Sequence, residues 1–135
     1  MPTVMTQNKN AEVVRRGYQA FNAGDAKTLA ELFDEKATWH TPGKSVISGD
    51  CNGRDAIMAH FARLGQETGG TLKAELRHLL HDEESRVVAL EHITAQRHGK
   101  RLAIDACLVF ELKNGRVVSG REYIYDLHSA DAFWA

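Results

Sequence analysis

The sequence predicts an α+β fold: a strongly curved antiparallel or mixed sheet, cone-shaped, with three N-terminal helices packed in its concave face. Three observations predict it. Helical periodicity fills the first half of the chain and strand alternation the second, and the strands are joined by short turns rather than by crossover helices. Among those turns, Asn114-Gly115 separates the alternating run Leu102 to Leu112 from the run Val117 to Tyr125, a strong hairpin signal. At 135 residues the chain is long enough for one domain with its own core.

Residues 1–9 lack periodicity and read as a frayed arm, which leaves 10–135 as the single domain. From Ala11, Val14, Tyr18 and Phe21 recur at helical spacing until Gly24 ends the segment. Asp25 caps a second helix whose apolar stripe is Leu29, Leu32 and Phe33. A short strand, Ala37 to Thr41, stops at Pro42-Gly43, and Gly43 to Gly53 reads as a long loop on a functional rim. A third helix from about Arg54 turns Ile57, Met58, Phe61 and Leu64 inward, and Thr68-Gly69-Gly70 breaks it. Leu72, Ala74, Leu76, His78 and Leu80 then share one face of a strand. Val87 to Gln96 forms the next strand, and His98-Gly99-Lys100 leads to the last hairpin. Phe133 and Trp134, two large aromatics near the end, suit either a flap that docks over the cone or a cover for one edge of the core.

Composition narrows the function classes. The chain is 43% hydrophobic and 26% charged with a net charge of −1, which offers nucleic acid no basic face. No apolar run reaches membrane-spanning length, and the first residues lack the apolar centre of a secretory signal, so a cytoplasmic protein is expected. Cys51 and Cys107 have no Cys-x-x-Cys spacing and read as reduced thiols. His78 and His81 would point to opposite faces of their strand, with no acidic or cysteine ligand to complete a metal set. No phosphate-binding loop or nucleophile elbow occurs, so neither metal nor cofactor is expected.

The chemistry centres on Glu122, a carboxylate inside a strand, which belongs either to a wet face or to a pocket. The segments around it resemble the SnoaL-like group of the nuclear transport factor 2-like superfamily. The matching pieces are Phe21-Asn22-Ala23-Gly24-Asp25, Leu32-Phe33, Ala37 to Gly43, Gly49-Asp50, Gly53-Arg54-Asp55, Val109-Phe110, Gly115-Arg116-Val117, Arg121-Glu122-Tyr123 and Phe133-Trp134. The resemblance spans nearly the whole chain. It implies the α+β cone, and it leaves the chemistry open among isomerases, cyclases, epoxide hydrolases, dehydratases and binding modules.

Two members of that superfamily can be carried over residue by residue. The three functional positions of ketosteroid isomerases fall on Gly17, Thr41 and near Ala106, so that machinery is missing; Tyr18 lies one residue, about 100° of helix, from the first. The Arg-x-Asp pair of limonene-type epoxide hydrolases becomes His92-x-Thr94, and their Arg-Asp-Tyr run becomes Arg121-Glu122-Tyr123. The resemblance therefore implies a Glu122–His92 dyad. Parity agrees with it, since His92 shares a face with Val88, Leu90 and Thr94, and Glu122 with Val118, Gly120 and Ile124.

The expected function is cofactor-free acid–base chemistry of the isomerase, cyclase or dehydratase type, with an epoxide-hydrolase-like reaction also in view. The substrate would be a hydrophobic carbonyl-bearing or polycyclic molecule in the cone pocket. Glu122 and His92 would be catalytic. Trp39, Thr41, Thr94, Tyr18 and His40 would shape the substrate site, and Phe133 and Trp134 would close it. The alternative is a non-catalytic small-ligand-binding or dimerisation module of the same fold, with Glu122 and His92 as a buried ion pair. The outer sheet face, carrying Asp105, Arg121, Tyr123 and Tyr125, is the expected homodimer surface, and an Asp105–Arg121 contact would fit there.

Overall fold

The computed structural model describes residues 8–135. The expected arm falls mostly on residues 1–7, outside the described residues, and its last position, Lys9, is already helical. Helix α1 (Lys9–Ala23) starts at Asn8, whose side chain accepts from the Ala11 N–H, and ends at Gly24 with φ 71°. That left-handed end favours glycine and turns the chain sharply into α2 (Ala26–Glu31). Asp25 caps α2 by accepting from the Thr28 N–H at 3.1 Å. The chain continues through β1 (Phe33–Thr41), β2 (Gly49–Asn52), α3 (Arg54–Glu67), β3 (Lys73–His81), β4 (Arg86–Arg97), β5 (Lys100–Lys113), β6 (Arg116–Ile124) and α4 (Leu127–Trp134).

The strands form one open six-stranded sheet in the order β2-β1-β6-β5-β4-β3. β1 and β6 run parallel and every other neighbouring pair is antiparallel. The sheet curls into a cone around the helices. α1 packs on β3 and β4, α3 on β1, and α4 on β5. Among the described residues, no helix is long and apolar enough to cross a membrane.

Three local features depart from the periodicity. β2 lies inside the stretch expected to be loop. Its residues Gly49, Asp50, Cys51 and Asn52 have no apolar alternation, and they are strand because they pair with Thr41, His40, Trp39 and Thr38 of β1. In β3 the register shifts between Leu76 and His78, so the extra residue reverses the facing beyond it. Leu79 packs on the core, while Leu80, expected on the same face as Ala74 and Leu76, is 52% exposed. The chain end is a helix, capped by the Asp126 side chain accepting from the Ser129 N–H.

β4 decides which side chains enter the cone. Val87, Ala89, Glu91, Ile93 and Ala95 are buried, and Val88, Leu90, His92, Thr94 and Gln96 point to the convex side. Helices pressed against a strongly curved sheet leave room mainly for small residues, so alanines line the inside and larger Leu90 lies outside. The apolar count agrees with this facing, four of the five inward residues being apolar against two of the five outward ones.

Candidate functional site

Glu91 on β4 and Glu122 on β6 face the same interior, with β5 between them. Glu91 pairs across the strands with Ala106, and Glu122 with Leu108. The two carboxyls thus lie diagonally over β5, and the short Ala106 side chain leaves space beside Glu91. Glu91 is 3% exposed, and the Tyr18 hydroxyl of α1 donates a hydrogen bond to its Oε1. Tyr18 is held by α1 and by an edge-to-face contact with Phe110, ring centroids 6.5 Å apart. Glu122 keeps part of its surface open because it faces the cavity itself.

That cavity has a volume of about 110 Å³. Trp39, Phe61, Phe110, Ile93, Leu108 and Trp134 form much of its apolar wall, and among the described residues no Lys or Arg lines it. Trp39 stands over Gly120, its partner in the β1–β6 register, where a Cβ would come within 2.5 Å of the ring's Cζ3. Glycine is thus required at 120 for the indole to lie against the sheet. Trp39 also meets Phe61 edge-on at 5.0 Å.

The electrostatics follow from burial without a counter-cation. Burial pushes the Glu91 carboxyl up to about 7, against a small opposing pull from the Tyr18 hydrogen bond. Burial, reinforced by the charge of Glu91, pushes Glu122 up to about 8. Burial and the adjoining carboxyls raise the Tyr18 hydroxyl well above its ordinary value, so it stays protonated and serves as a donor. Near neutral pH the pair holds roughly one proton between its two sites. One carboxylate that can accept a proton lies beside one carboxylic acid that can give one, in a largely apolar enclosure.

A fourth polar group lines the cavity from α3. His60 lies 3.3 Å by its Nε2 from the Thr41 hydroxyl, and Thr41 is 2% exposed. Burial, with Arg63 nearby, lowers the His60 imidazole to about 4, which keeps it neutral.

The residues expected at the site divide clearly. Glu122, Trp39, Tyr18 and Trp134 line the cavity. Thr41 backs it through His60. Phe133 is buried and meets Trp134 edge-on at 5.0 Å, while Arg97 and Lys100 bond the carbonyls at the end of α4. His92 does not enter. It lies on the convex face, its Nδ1 2.8 Å from Asp105 Oδ1, so the expected Glu122–His92 dyad does not form. Asp105 accordingly pairs with His92 rather than with Arg121, because β4 and β5 place the two opposite one another. Thr94 is exposed on the same convex face. His40 also points out of the cone and pairs with Asp50 at 2.5 Å.

Glu91 and His60 are the groups the sequence reading missed. Both had a signal. Glu91 alternates with Ala89 and Ile93, and His60 lies three residues after Ile57 and four before Leu64, on the inward stripe of α3. The His92–Thr94 correspondence drew attention to the other parity of β4.

The comparisons agree with this architecture. The model of the SnoaL-like domain matches residues 14–120. An uncharacterized protein of Mycobacterium tuberculosis is 28% identical over 131 residues, covering 97% of this chain and all of that protein. The structure of Bal32a, from a soil-derived mobile gene cassette, superposes with a TM-score of 0.92 at 60% identity, covering 94% of this chain and 97% of that one. A putative polyketide cyclase of Xanthomonas campestris pv. campestris superposes at 0.75 with 19% identity, covering 94% and 97% of the two chains, a likeness of fold. By sequence match over most of its length, the chain belongs to the SnoaL-like domain family.

Proposed function

We propose that this protein is a cofactor-free acid–base enzyme acting on a small, hydrophobic carbonyl compound held in the cone. The observation that carries the reading is the pair of carboxyls, Glu91 and Glu122, that face one cavity across β5, with no cationic side chain lining it among the described residues. Such a pair weakens the fold. Apolar residues of the same volume at these positions would be neutral or stabilising, so stability does not account for the pair. The volume of about 110 Å³ suits a single six-membered ring better than a polycyclic skeleton.

The chemistry follows from the two protonation states. The ionised carboxylate, Glu91, removes a proton from the carbon next to the substrate carbonyl. The protonated acid, Glu122, gives its proton to the carbonyl oxygen, forming an enol. Return of the Glu91 proton to a different carbon, with the enol proton going back to Glu122, completes an isomerisation; loss of a β-hydroxyl with its bonding pair, protonated by Glu91 to leave as water while Glu122 takes back the enol proton, completes a dehydration. Tyr18 orients Glu91 and is a positioning residue. Trp39 offers the ring a flat apolar face, and Trp134 on α4 closes the cavity with Phe133 packed against it.

The test is deuterium exchange at the α-carbon of cyclohexanone and 3-cyclohexen-1-one in heavy water, followed by NMR. The native protein should accelerate exchange, and Glu91→Gln should reduce the acceleration by about 10²-fold or more. A second reading, a ligand-binding module without turnover, is favoured by the loss of the isomerase and hydrolase positions at Gly17, Thr41, Ala106 and Thr94. Binding of either ketone without exchange would establish it.

A homodimer through the convex face belongs to the same proposal. Leu80, Leu90, Tyr123 and Tyr125 are all exposed, the last at 79%, and the first three project from the convex side of β3, β4 and β6. Sedimentation equilibrium of the native chain and of Tyr123→Glu checks it, the variant being expected as a monomer.

A further inference from the structure

The cavity holds one hydrogen-bonding unit that the acid–base chemistry does not use, the His60–Thr41 pair. Thr41 is almost fully buried, and among the described residues its hydroxyl has one partner, His60 Nε2 at 3.3 Å. A buried hydroxyl directs its proton to an acceptor. Nε2 is therefore the acceptor, and the ring proton of the neutral imidazole is assigned to Nδ1. Nδ1 has no partner among the described residues, and it is not a sealed atom. The ring lies on the cavity wall, and Nδ1–H is the donor it has left over.

The register places this donor close to the carboxyl pair. β1 and β6 run parallel with His40 opposite Arg121, and one further step along both strands brings Thr41 beside Glu122. Thr41 on β1, Glu122 on β6 and, beyond β5, Glu91 on β4 thus share the inner face of the sheet, with His60 of α3 at one end and Tyr18 of α1 at the other, in an enclosure otherwise apolar apart from its two indoles.

We propose that His60 is a ligand-binding group, a neutral donor to a second oxygen of the ligand, so the site selects compact molecules with two oxygen functions on one edge. One oxygen meets the carboxyl pair and the other accepts from His60 Nδ1. This rests on the cavity being a small-molecule site. A ligand with one oxygen leaves Nδ1–H without a partner once water is displaced, which is the physical source of the discrimination.

The experiment compares pairs of probes of equal size, 2-methoxyphenol with 2-ethylphenol and 3-methoxyphenol with 3-ethylphenol, titrated calorimetrically. The native protein is expected to bind at least one methoxy compound about tenfold more tightly than its ethyl counterpart. His60→Phe should abolish that preference while leaving ethylphenol affinity within about twofold, and His60→Gln, which keeps a donor, should restore part of it. The double variant His60→Phe/Thr41→Val removes the hydroxyl that the single change orphans, and should behave as His60→Phe does. A preference that survives in both phenylalanine variants, or that is missing from the native protein, overturns the proposal and leaves the acid–base reading standing. Absence of binding by all four probes to the native protein also overturns the proposal, while the ketone exchange decides the acid–base reading separately.

Discussion

Replacing Glu122 by Gln should make the fold less sensitive to alkali. Glu122 titrates at about 8 in the folded chain, against 4.5 when unperturbed, and Glu91 at about 7. Both folded values are raised. Below about pH 4.5 folded and unfolded chains hold both carboxyls protonated, and burial carries no charge penalty. As pH rises from about 4.5 to about 8 the unfolded chain ionises first, so stability is present at the acid end and lost toward the alkaline end. At about 1.4 kcal/mol for each unit, the Glu122 shift corresponds to about 5 kcal/mol and the Glu91 shift to about 3. Water entering through the mouth of the cavity screens part of this, and the two carboxyls are coupled, so the contributions do not add. Glu122→Gln should therefore gain about 2–5 kcal/mol relative to the native chain between about pH 5 and about pH 9. Urea denaturation across that range measures it, with unchanged slopes showing that the unfolded reference is the same. A difference between the two chains that stays constant to about 0.5 kcal/mol over the whole range would refute a carboxyl buried in an apolar cavity.

Four further outcomes follow from the same geometry. Tyr18→Phe removes the hydrogen bond that pulls Glu91 down, so its carboxyl carbon should titrate above about 7 by NMR; a downward move contradicts the assigned donor. Gly120→Ala should cost about 1–3 kcal/mol in thermal unfolding, because the new methyl overlaps the Trp39 ring and the buried indole cannot retreat. His92→Ala should cost less than about 1 kcal/mol and leave ketone exchange unchanged, since its partner Asp105 is 72% exposed on the convex face. Arg97→Met should destabilise by about 3 kcal/mol and speed amide exchange throughout α4, because Arg97 joins Glu67 to the carbonyls of Phe133 and Ala135.

Much of the fold is local and could be read along the chain. α1 and α3 follow from apolar spacing and from their stops at Gly24 and Thr68, and the β5–β6 hairpin follows from Asn114-Gly115 between alternating runs. β2 could not be read in this way. Its four residues become strand through hydrogen bonds to the preceding strand β1 rather than through any propensity of their own. The β3 bulge is equally silent, since one inserted residue leaves composition unchanged while turning Leu79 in and Leu80 out.

The site divides along the same line. By itself the sequence determined that Glu122 stands in a strand of a cone with aromatics near it, and that Glu91 and His92 occupy opposite faces of the next strand but one. Tertiary structure decided that the Glu91 face, the more apolar of the two, closes against α1 and meets Glu122 over β5. Alternation fixes which side chains travel together, but the choice of concave side depends on where α1 lies and on the small residues its approach demands, Ala89 and Ala95 beside Glu91. That packing put a second carboxyl, rather than an imidazole, within reach of Glu122, and brought Tyr18 and His60 from separate helices to the same enclosure.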